Sequence, residues 1–216
     1  MISIFFDLDG TLTDPKVGIT RSIQYALGRL DHPIPASHEL TWCIGPPLHA
    51  SLKKLLGRND LADQALALYR ERFAEIGLYE NAIYPGIEAT LTALAGAGRR
   101  LLVATSKPQI YAERILDHFG LASRFERVFG SELDGTRTDK TELLGYALRM
   151  TGVDPARAVM IGDRSHDMIG ARNNAMTAIG VLYGYGSEAE LRSAGAHRIC
   201  ATPEQLRDHA EPVDQP

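Results

Sequence analysis

Four short stretches of the 216-residue chain carry side chains able to handle a charged, oxygen-rich group. Asp7 and Asp9 stand two residues apart in Phe6-Asp7-Leu8-Asp9-Gly10-Thr11. Where extended geometry persists that far, two such carboxylates point the same way, and the pair repels itself unless a cation or a shared proton relieves it. Thr105 and Ser106 lie where an apolar run gives way to a helical pattern, and a hydroxyl with the free amides of a helix start can hold a phosphate oxygen. They would serve equally as an ordinary helix cap before Pro108. Lys140 opens another helical pattern, where the helix dipole slightly disfavours a cation, so an anionic partner is expected nearby. Gly162-Asp163-Arg-Ser-His-Asp167 adds two more carboxylates. Asp167 falls one helical turn beyond Asp163 if the helix has begun there. His166, between them, suits softer ions and reads as a surface residue or one just behind the ligands.

The elements that must position these groups are legible around them. Ile2, Ile4, Phe5 and Phe6 form a short apolar run of β-formers ending at an acidic turn, which predicts a buried strand delivering Asp7 to its C-terminal edge. Residues 101–104 and 158–161 predict strands ending at Thr105-Ser106 and Gly162-Asp163, and 128–129 and 178–181 predict two more. Between them, helices are expected from Tyr84-Pro-Gly86 to Ala97, over 108–119, from an Asp139 cap to Met150, and near 187–194 and 203–210. This alternation is the pattern of an α/β fold with a mostly parallel sheet and helices on both faces. Its strand ends share one edge, and the ligand crevice lies beyond them.

Residues 15–82 differ in texture. Helical spacing over 17–30, 48–56 and 61–76, with no strand-like run, predicts a small all-helical module inserted after the first turn. The core is then 1–14 with 83–216, and residues 211–216, polar and proline-bearing, are expected to form a loose tail. Net charge is −4, from 23 basic and 27 acidic side chains, and no basic run occurs. Neither a nucleic acid polymer nor an anionic membrane is therefore an indicated partner. The short apolar start ends at Asp7, unlike a signal peptide or a membrane span, so a cytoplasmic location is expected. Cys43 and Cys200 lack metal-site or disulfide-scaffold spacing and read as small buried hydrophobes. A monomer or weak homodimer is expected.

Asp7-Leu8-Asp9-Gly10-Thr11-Leu12-Thr13, Thr105-Ser106, Lys140 and Gly162-Asp163…Asp167 resemble, in order, the four signatures of the haloacid dehalogenase-like (HAD) hydrolases, and the resemblance covers essentially the whole chain. It implies a Rossmann-like core with the helical insert as a cap. Asp7 would be the nucleophile, Asp9 the general acid/base, Thr105 a binder of the transferring phosphoryl group, and Lys140 the cation that pairs with the nucleophile. The last signature would hold Mg2+, a hard ion content with a few carboxylates and water. Asp7, the Asp9 carbonyl and Asp163 would touch it directly, with Asp167 behind them. Amides around Leu8 and Ser106 would complete the phosphate cradle, with Lys107 and Arg137 competing with Lys140 for phosphate.

The insert looks like the cap of the phosphoglycolate phosphatase-like branch. Tyr79-Glu-Asn-Ala-Ile-Tyr-Pro-Gly86, Ala104-Thr-Ser-Lys-Pro108, Gly130-Ser-Glu-Leu-Asp-Gly-Thr-Arg137 and Gly180-Val-Leu-Tyr-Gly-Tyr-Gly186 are similar to a bacterial subgroup described as 5′-nucleotidases. The resemblance implies hydrolysis of small phosphomonoesters through an aspartyl-phosphate, with a nucleoside 5′-monophosphate as substrate. Phosphoglycolate phosphatase, a β-phosphoglucomutase-like phosphomutase and a non-catalytic phosphate-binding module are the alternatives. Gly45 and Pro46 are expected in the substrate-selecting cap loop. Trp42 and Tyr25 could stack on a base, although helix packing explains them better.

Overall fold

In the computed structural model, which describes residues 1–213, the chain opens with β1 (Ser3–Phe6) and, after a turn, β2 (Thr13–Asp14). Three helices follow, α1 (Lys16–Arg29), α2 (Leu48–Leu56) and α3 (Asn59–Arg72), before β3 (Ala82–Ile83) brings the chain back. Strands and helices then alternate: α4 (Ile87–Gly96), β4 (Arg100–Pro108), α5 (Gln109–His118), β5 (Arg127–Ser131) and α6 (Lys140–Thr151). They continue as β6 (Ala158–Gly162), α7 (Ser165–Asn173), β7 (Thr177–Val181), α8 (Glu188–Ser193), β8 (Arg198–Cys200) and α9 (Leu206–His209).

Six strands form one sheet in the order β5-β4-β1-β6-β7-β8, with every neighbouring pair parallel. β1 is central, paired with β4 on one side and β6 on the other, and all four of its residues are buried. Burial on both faces is why the strand reads as unbroken apolar sequence rather than as alternation. Its side chains nevertheless divide by the two-residue period. Ile4 and Phe6 join Leu101, Val103, Val159 and Ile161 on one face, with Leu91, Leu94, Ile115 and Leu116 of α4 and α5. Phe5 joins Leu102, Ala104 and Met160 on the other, with Leu143, Leu144, Met168 and Ala171 of α6 and α7.

The strand order reverses about β1, the position at which α/β sheets open a crevice beyond their strand ends. There the chain leaves for the helical insert through β2 and returns through β3. These two form a short antiparallel ribbon, Thr13 opposite Ile83 and Asp14 opposite Ala82. The returning strand lies at the end of a region expected to hold none, and β8 was not anticipated either. Helix α3 ends at Arg72, and Phe73–Gly77 continues as a π-turn in place of the expected α-helix to residue 76. Close packing marks the spot, since a Cβ on Gly18 of α1 would stand 1.9 Å from the Gly77 carbonyl oxygen.

The expected loose tail is tied down where it is described. Glu211 pairs with Arg99, its carbonyl accepts a bond from Arg198 at 3.2 Å, and the Val213 amide donates to Thr177 Oγ1 at 2.9 Å. Residues 214–216 of that tail lie outside the described residues. No described helix is long and apolar enough to cross a membrane.

Candidate active site

Asp7 and Asp9 project from the C-terminal edge of β1. The Asp7 amide donates to the Ile161 carbonyl at 2.9 Å, carrying the pairing with β6 one residue past the strand. The Leu8 carbonyl then accepts the amides of Leu12 and Thr13 at 2.9 and 3.0 Å, closing a tight turn. The Leu8 side chain is fully buried, so only its backbone can face a ligand. Gly10 sits at φ +82°, and a Cβ there would lie 2.2 Å from Asp163 Oδ2. Glycine is what allows the turn after β1 to press against the carboxylate that ends β6.

Asp7, Asp163 and Asp167 each bring a carboxylate oxygen within 4.8 Å of the other two, and all three are buried. Asp163 is held by the Tyr185 amide at 2.8 Å and by the Thr11 hydroxyl at 3.5 Å. Asp167, in the first turn of α7, reaches back so that its Oδ2 accepts the Arg164 amide at 3.2 Å. It thus joins the cluster itself. Lys140, the first residue of α6, extends to the same place: Nζ lies 3.1 Å from Asp7 Oδ1 and 2.7 Å from Asp167 Oδ1, and donates to the Ala104 carbonyl at 2.9 Å. The helix behind it starts as expected, with the Asp139 side chain accepting the Glu142 amide at 3.0 Å.

Burial works against the charge on Lys140, but Asp167 and Asp7 outweigh it and hold the ammonium above its ordinary value. Burial pushes Asp163 well above the usual carboxylate range, with the charges of Asp167 and Asp7 adding to the effect. Asp167 is pushed up to about 6 by burial, against the pull of Lys140. Three carboxylates thus face one ammonium in a water-poor space. Beyond the ionic contact with Lys140, Asp7 Oδ1 and Asp167 Oδ1 receive no aligned hydrogen bond. Spare oxygen lone pairs and uncompensated negative charge fit a hard divalent cation such as Mg2+.

Asp9 has a different companion. Lys107 Nζ lies 2.8 and 2.7 Å from its two oxygens and sits 4.8 Å above the Phe73 ring. Burial nevertheless raises Asp9 above the ordinary value, outweighing the opposing charge of Lys107. Of the three cations expected to compete for phosphate, Lys140 and Lys107 face the site. Arg137 turns outward to Glu132 and over the Tyr146 ring at 4.5 Å. Thr105 is buried at the site but caps no helix, because β4 runs on to Pro108 and α5 begins at Gln109. Its Oγ1 accepts the Lys107 amide at 3.3 Å instead. The neighbouring Ser106 faces the cavity described below, and its carbonyl is fixed by the Ser131 hydroxyl at 2.8 Å. His166 is exposed, as expected.

Above the carboxylates a cavity of about 670 Å³ separates the sheet edge from the helical insert. Asp7, Asp9, Thr105, Ser106 and Lys107 line its floor. Gly45 and Pro46 line its opposite wall, and a Cβ on Gly45 would meet Arg164 Cγ at 2.6 Å. The aromatic lining comes from Tyr69 and Phe73, stacked 5.0 Å apart, and from Tyr111. Trp42 and Tyr25 do not line the cavity: Lys54 covers the Trp42 ring at 4.8 Å, and the Tyr25 hydroxyl bonds Glu71 on the outside of the insert. The spacing of residues 69 and 73 was visible as a helix stripe, but sequence could not show that the stripe faces a ligand space. Two arginines cross the cleft. Arg70 of α3 donates to the Leu133 carbonyl at 2.6 Å, and Arg164 donates to the Ile44 carbonyl at 2.5 Å.

The sheet order, the carboxylate cluster at its switch point and the lysine beside it together define a class of phosphoryl-handling hydrolase. Residues 4–181 match the haloacid dehalogenase-like hydrolase family, and the chain belongs to it. A 5′-nucleotidase of Pseudomonas aeruginosa is 48% identical over 210 residues, 97% of this chain and 95% of that protein. Tyrosine-protein kinase PtkA of Mycobacterium tuberculosis is 41% identical over 212 residues, 98% of this chain and 70% of that one. Among solved structures, a predicted phosphatase from Clostridium acetobutylicum superposes with a TM-score of 0.94 at 40% identity, covering 97% of this chain and 98% of its own. Within the family the chain stands with the phosphoric monoester hydrolases.

Proposed function

We propose that this protein is a Mg2+-dependent 5′-nucleotidase that hydrolyses small phosphomonoesters through a phosphorylated Asp7. The observation that carries the reading is the placement of Asp7, which belongs to the buried carboxylate cluster, beside Asp9 on the floor of a cavity of about 670 Å³ with an aromatic wall. That volume lies in the range of pockets that enclose drug-sized ligands. A two-carbon phosphoester would leave most of it empty, whereas a nucleoside could set its base against Tyr69, Phe73 and Tyr111. The name of the Pseudomonas aeruginosa relative supports the same choice.

Asp7, Asp163 and Asp167, with the Asp9 carbonyl, are the groups that would hold the ion, and its charge would offset the repulsion between Asp7 and an incoming phosphate dianion. Asp7 attacks phosphorus in line while the ester oxygen departs. Asp9, raised by burial, gives its proton to that oxygen and afterwards takes one from the water that cleaves the acyl phosphate. Lys140 keeps Asp7 oriented, and Thr105 with the amides near Leu8 and Ser106 holds the equatorial oxygens. The insert, residues 15–82, serves as a cap that excludes water, and Gly45 and Pro46 belong to its substrate-facing loop.

A screen of phosphorylated metabolites tests the reading. Nucleoside 5′-monophosphates are expected to be turned over with Mg2+ and not with EDTA, and with kcat/KM at least about tenfold above phosphoglycolate, a difference of about 1.4 kcal/mol in transition-state binding. Faster turnover of phosphoglycolate would overturn the substrate assignment. Absence of any Mg2+-dependent phosphate release would overturn the hydrolase.

A further inference from the structure

Tyr185, in the segment Gly180-Val-Leu-Tyr-Gly-Tyr-Gly186, is held at both ends, although it touches neither the cavity floor nor a reacting group. Its amide donates to Asp163 Oδ2 at 2.8 Å. Its hydroxyl donates to Asp14 Oδ1, the last residue of β2, with Tyr84, just after β3, close by. Asp14 Oδ1 also accepts the Lys16 amide at 3.0 Å where α1 begins, and the Tyr84 amide donates to the Leu12 carbonyl at 3.2 Å. One residue therefore grips β2, which pairs with β3 at the root of the helical insert, while its backbone fixes an oxygen of the carboxylate cluster. Two glycines permit the approach: a Cβ on Gly184 would lie 2.4 Å from Asp163 Cβ, and one on Gly186 would lie 1.9 Å from the Asp163 carbonyl oxygen. Tyr183 supplies a built-in contrast. It is packed edge-on to Tyr84 at 5.1 Å, yet its buried hydroxyl has no hydrogen-bond partner among the described residues.

We infer that Tyr185 is a positioning residue that couples cation binding at Asp163 to the setting of the β2–β3 ribbon, and hence of the insert it carries. The inference rests on the reading of the cluster as an ion site and of the insert as a cap. A bound cation fixes the Asp163 carboxylate and with it the Tyr185 backbone. The tyrosine side chain, with only two rotatable bonds and its hydroxyl held at Asp14, passes that restraint to β2. Coupling of this kind is reciprocal, so a ribbon held in this setting binds the cation more tightly.

The test compares wild type with Tyr185→Phe and Tyr183→Phe, which each remove one hydroxyl from the same segment. Hydrogen exchange of residues 11–16 and 82–86 is followed with and without Mg2+, and Mg2+ affinity is measured by calorimetric titration. Wild type should show Mg2+-dependent slowing of exchange in both strands. Tyr185→Phe should lose that slowing and bind Mg2+ about 5- to 150-fold more weakly, the range of a typical coupling between two sites, while Tyr183→Phe behaves as wild type. In hydrolysis, Tyr185→Phe should shift the Mg2+ dependence of turnover more than its ceiling at saturating Mg2+. Should the phenylalanine variant not fold, Asp14→Ser breaks the same bond from the other side while keeping an oxygen for the Lys16 amide, and the same losses are expected. Retention of Mg2+-dependent protection in Tyr185→Phe, or equal loss in Tyr183→Phe, overturns the coupling. If wild type hydrolyses no phosphomonoester but the exchange pattern holds, the catalytic proposal fails and the coupling stands. If it turns over substrate while Mg2+ leaves both strands unprotected, the coupling alone fails.

Discussion

At the scale of single residues, the site divides its charges between two pairs. Lys140 serves Asp7 and Asp167 from the rear, and Lys107 serves Asp9 from the cavity side. The division suits the roles proposed for Asp7 as nucleophile and Asp9 as acid, which make different demands on their neighbours. Replacing Asp7 with Asn removes one buried charge from a crowded cluster without changing its volume. The variant is expected to keep its far-UV circular dichroism and melt no lower than wild type, while phosphate release falls by about 10³-fold or more. Turnover within tenfold of wild type would argue against covalent catalysis. Asp7, Asp9, Asp163 and Lys140 could be read from the chain because each ends a strand or opens a helix, positions that an apolar run or a capping residue betrays. The Lys107–Asp9 pair could not. It spans 98 residues and depends on β4 continuing extended to Pro108, which neither hydroxyl residue before the proline announces.

At the scale of elements, α2 runs over the nine residues that helical spacing predicts, and the central strands fall where apolar runs predict them. What escaped sequence reading is short or enforced from outside. β2 and β3 have two residues each and β8 three, too few for any period to show. The π-turn at Phe73–Gly77 arises where backbone meets backbone between Gly77 and Gly18, a contact 59 residues apart in sequence that no local pattern encodes. Helix α3 also carries one of the two arginines that cross the cleft. Arg70→Ala removes the bond to the Leu133 carbonyl without touching the carboxylate cluster. If the insert closes as the proposed cap and loses about 1 kcal/mol of that closure, KM for a preferred phosphomonoester should rise roughly fivefold, with kcat changed by less than about threefold. Steady-state kinetics decide it, and an unchanged KM would remove Arg70 from cap closure.

At the scale of the whole molecule, ion binding and folding stability are linked through the acidic cluster. Asp163 and Asp167 are both raised in the folded protein, Asp167 to about 6, so without metal the native state holds protons that the unfolded chain has already released. A carboxyl raised on folding contributes stability that is complete below its unfolded value and lost as pH climbs through the folded one. For Asp167 that window runs from 3.8 to about 6. In EDTA, this contribution should therefore make the protein melt higher at pH 5 than at pH 7.5. At the proposed site Mg2+ would bind the ionised carboxylates, so added Mg2+ should raise Tm more at pH 7.5 than at pH 5. Thermal melts at the two pH values, with and without the ion, check both signs, and a metal-free protein no less stable at pH 7.5 would contradict them.

The β2–β3 ribbon has a further consequence for how such a protein can diverge. The polypeptide departs from the sheet and rejoins it through neighbouring paired strands, so the excursion between them can be exchanged by cutting at two adjacent points. With the insert as the proposed substrate-selecting cap, reaction type and choice of ester would then travel on separable lengths of polypeptide. Grafting the equivalent of residues 15–81 from a relative onto this sheet should import that relative's preference while leaving the metal requirement where it was.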